Sequence, residues 1–337
     1  MACPTADPIN AGKSGGRCIV YRKDTPCAIS IGRIGHQPPA TNHQPPAIVC
    51  GMSRTPIARI SAGALLLAGC WVAYTQNQGK APALTLNKVK DGLYEIEGDG
   101  GNVAVYVTGE GVILVDDKFE QDYENIMAKV KSVTDQPVKY VVSTHHHSDH
   151  SGGNVRFIST AEIISTANAR ANIVEHKQPN APANMTPARV VFTEECSVFL
   201  GGKEVRARYF GRGHTNGDAV VYFPALRTIH TGDLMAGKTP LIDYAGGGSL
   251  KAWTETLDGA LQLDFDTVIP GHGPVTTKAG LLEYRNNVEK LRNRAAGLIH
   301  EGKSQEEVGK VMAAEFGWGA GTMQAQWSLP GIMTELK

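Results

Sequence analysis

Thr144-His145-His146-His147-Ser148-Asp149-His150 is the stretch that decides how this chain is read. It packs metal-ligand side chains into the pattern His-x-His-x-Asp-His. It follows Val138-Lys139-Tyr140-Val141-Val142-Ser143, a β-branched and aromatic run that reads as a buried strand. If the extended geometry continues, residues two apart share a side, so His145 and His147 face together and His146 faces away. Ser151-Gly152-Gly153-Asn154 cannot prolong a strand well, so the backbone turns after Ser148 and brings Asp149 and His150 to a neighbouring position. One strand end can then serve two ions, His145 and His147 one and Asp149 and His150 the other. Imidazole and carboxylate are ligands that zinc takes at about 2.0–2.2 Å. The bland alternative is a solvated His-rich turn.

The rest of the chain weighs against that alternative. Tyr209-Phe210-Gly211-Arg212-Gly213-His214 places a histidine in a Gly-rich loop after a strand. Ile229-His230-Thr231-Gly232-Asp233 ends an apolar strand in an aspartate, and Val268-Ile269-Pro270-Gly271-His272 ends another in a histidine framed by glycines. Each apolar strand delivers one ligand-type residue at its C-terminal end, and a series of these is hard to attribute to chance. His146 and His230 read as packing or hydrogen-bonding residues rather than ligands.

His145-x-His147-x-Asp149-His150, Gly213-His214-Thr215, Thr231-Gly232-Asp233 and Gly271-His272-Gly273 together resemble the motifs of the metallo-β-lactamase superfamily, over about Leu84 to Arg294. The resemblance implies an α/β fold: an αββα sandwich of two mixed β-sheets flanked by helices, with the metals at one edge. It also implies two zinc ions: the first on His145, His147 and His214, the second on Asp149, His150 and His272, with Asp233 bridging. Asp116, after the apolar Val112-Ile113-Leu114-Val115, matches a structural aspartate near the site rather than a ligand. Zinc lowers the pKa of bound water to about 7, so hydroxide is available to attack an amide or ester carbonyl, with Asp149 as the catalytic residue that orients it or relays a proton. His147 favours zinc, because an acidic residue there would look like the di-iron branch.

The substrate is less constrained. β-lactamases of the superfamily usually carry Cys or Ser where this chain has Asp233, which looks more like the thioesterase and lactonase branches. An export signal points the other way, so β-lactam or lactone ring opening leads, with a glyoxalase II-type thioesterase or a non-catalytic metal-binding domain as alternatives. Lys238 could hold a substrate carboxylate or simply be solvated. A formal net charge of +0 leaves no basic surplus for nucleic acid, so a small molecule is the expected partner.

With 337 residues, 42% of them hydrophobic, the chain can build one large core, expected over residues 84–337. Residues 1–51, with Gln37-Pro38-Pro39 and Gln44-Pro45-Pro46, read as a disordered or non-native upstream extension. Residues 52–83 read as a bacterial export signal and tether: Arg54 and Arg59 precede the apolar run from Ile60 to Gly69. Leu67-Ala68-Gly69-Cys70 resembles a lipobox, and a lipidated Cys70 would anchor the protein to a membrane; an ordinary cleaved signal would leave it periplasmic. Of the cysteines, Cys196 alone falls in the folded domain, beside Val198-Phe199-Leu200, and reads as core packing. Helices are expected over Glu120–Val133, Ala167–Glu175, Ser249–Leu261, Lys278–Ile299 and Ser304–Phe316, and a strand over Ala161–Ser165.

Overall fold

A computed structural model describes residues 18–20 and 83–337. The expected export signal, Cys70, and all of the upstream extension apart from Cys18–Val20 lie outside the described residues. Among the described residues no helix is long and apolar enough to cross a membrane.

The first sheet grows from short β-branched runs separated by glycine turns. Strands β2 (Thr85–Lys90), β3 (Leu93–Glu97), β4 (Val103–Val107) and β5 (Val112–Val115) pair antiparallel in sequence order. Gly92, at φ 71°, makes the first turn in a conformation that a side chain would strain. From β5 onward the pairing becomes parallel, through β6 (Val138–Val142), β7 (Glu162–Thr166) and β8 (Val190–Phe192). Parallel neighbours need crossovers, which α1 (Tyr123–Lys131), the short helices α2 (Ser148–Ser151) and α3 (Asn154–Phe157), and α4 (Ala167–Val174) provide. Strand β1 (Cys18–Val20) pairs antiparallel with β8, giving the order β1-β8-β7-β6-β5-β4-β3-β2.

The second sheet runs β14-β13-β12-β11-β10-β9. Its strands are β9 (Glu195–Leu200), β10 (Lys203–Tyr209), β11 (Ala219–Phe223), β12 (Thr228–His230), β13 (Thr267–Ile269) and β14 (Thr276–Thr277). Here β12 and β13 are parallel, and α5 (Leu250–Leu261) joins them. Helices α6 (Lys278–His300), α7 (Gln305–Phe316) and α8 (Leu329–Glu335) follow, with a π-helical turn, Gln324–Ser328, before α8.

The period-2 alternation of strands explains how three cores coexist. Along β4 and β5, Tyr106, Ile113 and Val115 join Phe192, Val221 and Phe223 between the sheets. Their neighbours Val105, Val112 and Leu114 instead meet Ile126, Val130 and Phe157 on the helical face. Across the other sheet, Ile229 and Val268 pack against Trp253, Leu257, Val288 and Leu291 of α5 and α6. Both sheets are therefore mixed and each is helix-covered on its outer face, which is the expected αββα sandwich. Cys196 is buried in the layer between the sheets, as its apolar neighbours suggested.

Several expectations shift in detail. Strand β6 stops at Val142, so the histidine run is not a strand; the expected turn is the α2 helix. The Glu120–Val133 segment splits into a 3-10 turn, Glu120–Asp122, and α1.

Glu95 is out of place in this layering. It is only 2% exposed, its Oε1 has no hydrogen-bond partner, and burial pushes its pKa up to about 7. The folded state thus holds a proton that the unfolded chain releases from about 4.5, so stability is lost as pH rises from there to about 7. Glu95→Gln is expected to stabilise the fold by about 1–3 kcal/mol at pH 8 and to change little near pH 4. Urea unfolding at the two pH values checks this; equal effects at both would contradict it.

Candidate metal centre

The first-sheet strands end at one edge of the sandwich, and the histidine run begins there. Asp116, just beyond β5 and at φ 62°, turns its carboxylate onto the chain leaving β6. Its Oδ1 accepts from the Thr144 amide at 2.6 Å and its Oδ2 from the Thr144 hydroxyl at 2.8 Å. Helix α2 then winds the chain so that His147, Asp149 and His150 converge. The site is built close to glycine backbone: a Cβ on Gly101 would lie 2.1 Å from His150 Cε1, and one on Gly271 would lie 2.0 Å from Asp233 Oδ1. Gly101→Ala is therefore expected to displace the His150 ring and to cost about 1–3 kcal/mol of stability from overpacking. Metal titration together with thermal unfolding checks this; unchanged metal affinity would show that the ring has room to move.

Hydrogen bonding fixes the tautomers of His145, His147 and His214. The Thr144 hydroxyl spends its proton on Asp116, so it can only accept from His145 Nδ1–H, at 3.0 Å. His150 Nδ1–H donates to Asp116 Oδ2 at 2.7 Å, and His214 Nδ1–H to the Leu241 carbonyl at 2.6 Å. His147 is turned the other way: its Nε2–H donates to Asp243 Oδ2 at 2.9 Å. The His145, His147 and His214 rings consequently aim an unprotonated nitrogen inward, whereas the His150 ring, despite its burial, is held well above the usual imidazole range by Asp233, Asp149 and Asp116. His147 Nδ1 and His214 Nε2 face each other at 2.9 Å with no proton left to share, and His145 Nε2 is buried without a partner. Converging lone pairs repel unless a cation lies among them. Tetrahedral zinc with Zn–N near 2.1 Å sets its ligand atoms about 3.4 Å apart.

Carboxylates complete the cluster. Asp233 Oδ1 lies 3.1 Å from His150 Nε2 and 3.5 Å from His272 Nε2, while its Oδ2 lies 3.6 Å from His214 Nε2. Oδ1 is buried beside the His150 ring. Asp149 Oδ2 sits 3.2 Å from His272 Nε2 and 3.6 Å from His150 Nε2. Burial alone would raise both acids, but the neighbouring imidazoles of His150 and His272 hold them well below the usual carboxylate range. Burial lowers His145 and brings His214 down to about 4, so both rings are neutral at pH 7.

The structure therefore gathers the seven expected ligand residues. His145, His147 and His214 form one group that could hold a metal ion, and Asp149, His150 and His272 form another. His145 also groups with His150 and Asp233, so Asp233 touches both halves. His230 is a buried packing residue bonded to the Asn102 carbonyl at 3.0 Å. Lys238 is exposed.

Asp243 was not anticipated. It lies in the loop after Asp233, accepts from His147 Nε2, and has His146 Nε2 at 3.6 Å. Its other oxygen accepts from Gly246 N at 2.9 Å. His146, His147 and Asp243 thus form a further group with metal-ligand geometry, but the His147–Asp243 hydrogen bond accounts for it as the partner that orients a ligand. No sequence signal marked Asp243.

Residues 96–272 match the sequence profile of the metallo-β-lactamase superfamily, more than half of the chain. The chain belongs to this superfamily. Membership makes it a metal-dependent hydrolase, in keeping with the donor set just described. It is 28% identical over 175 residues to the metallo-β-lactamase IND-1 of Chryseobacterium indologenes, covering 51% of this chain and 71% of that one. It is 24% identical over 196 residues to the 2,4-dinitroanisole O-demethylase subunit alpha of a Nocardioides species, covering 57% of this chain and 58% of that one. The crystal structure of the metallo-β-lactamase FIM-1 from Pseudomonas aeruginosa in its mono-zinc form superimposes with a TM-score of 0.55 at 20% identity, covering 63% of this chain and 98% of that one, and so supports the fold.

Proposed function

We propose that this protein is a dinuclear zinc hydrolase of amide or ester carbonyls, with β-lactam or lactone rings as its leading substrates. The observation that carries the proposal is the set of inward-facing, unprotonated nitrogens of His145, His147 and His214, with the Asp233 carboxylate beside them. His145, His147 and His214 would hold one ion, Asp149, His150 and His272 the other, and Asp233 would lie between them. Bound zinc supplies a water of pKa near 7 and polarises the carbonyl.

The chain's own residues perform the remaining tasks. Asp149 is held anionic and is 23% exposed, whereas the His150 side chain beside it is fully buried. That leaves a carboxylate oxygen at the open side of the cluster, able to accept the proton of an attacking water and return it to the leaving group. His272, at 37% exposure, lies on the same open side. Asp116 and Asp243 fix the rings of His150 and His147 so that no reorientation is needed during turnover.

Thioester hydrolysis is the second reading, favoured by a carboxylate at Asp233. The similarity to IND-1 supports the β-lactam reading, while the O-demethylase relative shows that relatives of this chain carry names for different reactions. Export is proposed from the Arg54–Gly69 pattern, with Cys70 as a lipidation site. Metal analysis with nitrocefin, acyl-lactone and thioester assays tests the proposal. Two zinc ions with turnover of one substrate class, lost in both His147→Ala and Asp149→Ala, would support it; turnover surviving either change would contradict the ligand assignment.

A further inference from the structure

The family match ends at residue 272, yet the chain continues through three further helices. Its last segment is fastened to the loop that supports the first metal group. Ile242 N donates to Ser328 Oγ at 2.8 Å, and Ser328 Oγ donates back to the Ile242 carbonyl at 3.1 Å. Ile242 lies between Leu241, which takes the His214 ring proton, and Asp243, which takes that of His147. Seven residues beyond Ser328, Glu335 accepts from Tyr244 Oη at 2.7 Å and from Leu250 N at 3.0 Å, and also bonds Ser249 Oγ. This fastening carries Trp327 to the metal cluster: its ring lies edge-to-face on His147 with centroids 6.2 Å apart. Trp327 is part-exposed, and Met323, one turn earlier, is 54% exposed. Trp327 lies in a π-helical turn, Gln324–Ser328, a geometry that recurs at functional sites and here turns a large apolar ring toward His147.

We propose that Trp327 is a specificity-determining residue, the apolar wall against which a flat aromatic group next to the scissile carbonyl stacks. The role rests on the hydrolase reading above, because it places the carbonyl at the metal cluster. The substrate class it selects is a carboxylic acid derivative with an aryl group on its acyl side. A smaller acyl group would leave the indole face wet and gain nothing from it.

Binding of product-like carboxylates to the zinc-loaded full chain tests this without turnover. Phenylacetate and acetate share the metal-binding head and differ in the ring. The wild type is expected to bind phenylacetate at least about tenfold more tightly than acetate by calorimetry. In Trp327→Ala the ratio should collapse to within about twofold, and Trp327→Phe should restore most of it. Zinc content, measured on each variant, separates loss of the wall from loss of the site. No preference in the wild type, or a preference that survives Trp327→Ala with zinc intact, overturns the role of Trp327 and leaves the hydrolase reading standing. Failure of both carboxylates to bind the zinc-loaded wild type overturns both.

Discussion

Asp233→Asn is expected to remove at least one of two bound ions and to lower turnover by about a thousandfold or more, the size of effect that several kcal/mol of lost transition-state stabilisation produces. The variant keeps the shape of the side chain and removes its charge. That charge offsets a cluster in which His150, His272 and His214 nitrogens all lie within 3.6 Å of the Asp233 oxygens. The buried Oδ1 meets only ring nitrogens of the cluster itself, those of His150 and His272. Its replacement should therefore leave the folded state intact, which circular dichroism can establish on the same sample. Full turnover with both ions retained would mean that Asp233 does not lie between them.

Asp243→Ala is expected to weaken metal binding or activity by about ten- to a hundredfold, the usual effect of removing a carboxylate that orients a ligating histidine. In the wild type the carboxylate fixes the His147 proton on Nε2, so Nδ1 is the nitrogen that faces His214. Without it the ring can rotate or change tautomer, and the ligand must be ordered at each binding event. Asp243→Asn keeps one acceptor and should be milder. Competition with a chelator of known affinity measures the change. Identical metal affinity in Asp243→Ala would show that packing against Trp327 and the neighbouring rings already fixes His147.

Much of this was legible because metal sites at strand ends are written locally. The run from His145 to His150 leads from one strand end into the next short helix, and Asp233 and His272 each follow a short apolar strand. The unbroken apolar run Val112–Val115 is likewise a buried strand of the first sheet. Other features depended on contacts far apart in sequence. Asp243 meets His147 across 96 residues, and nothing adjacent to Asp243 distinguishes it from a surface loop aspartate. Trp327 depends on the Ser328 and Glu335 anchors, whose partners lie some 86 residues away. The end of β6 at Val142 was also missed, because Asp116 pulls Thr144 out of the strand path, and that pull comes from a side chain on the neighbouring strand's end.

On the proposed function, the inward-facing nitrogens and the Asp149 and Asp233 carboxylates form a two-ion centre that the reaction requires. Its most direct test is metal content measured alongside turnover, on the purified protein, on the metal-stripped protein, and during stepwise return of zinc. Two zinc ions per chain are expected, with activity abolished on stripping and recovered as zinc is restored. Full activity in the metal-stripped protein would contradict the account.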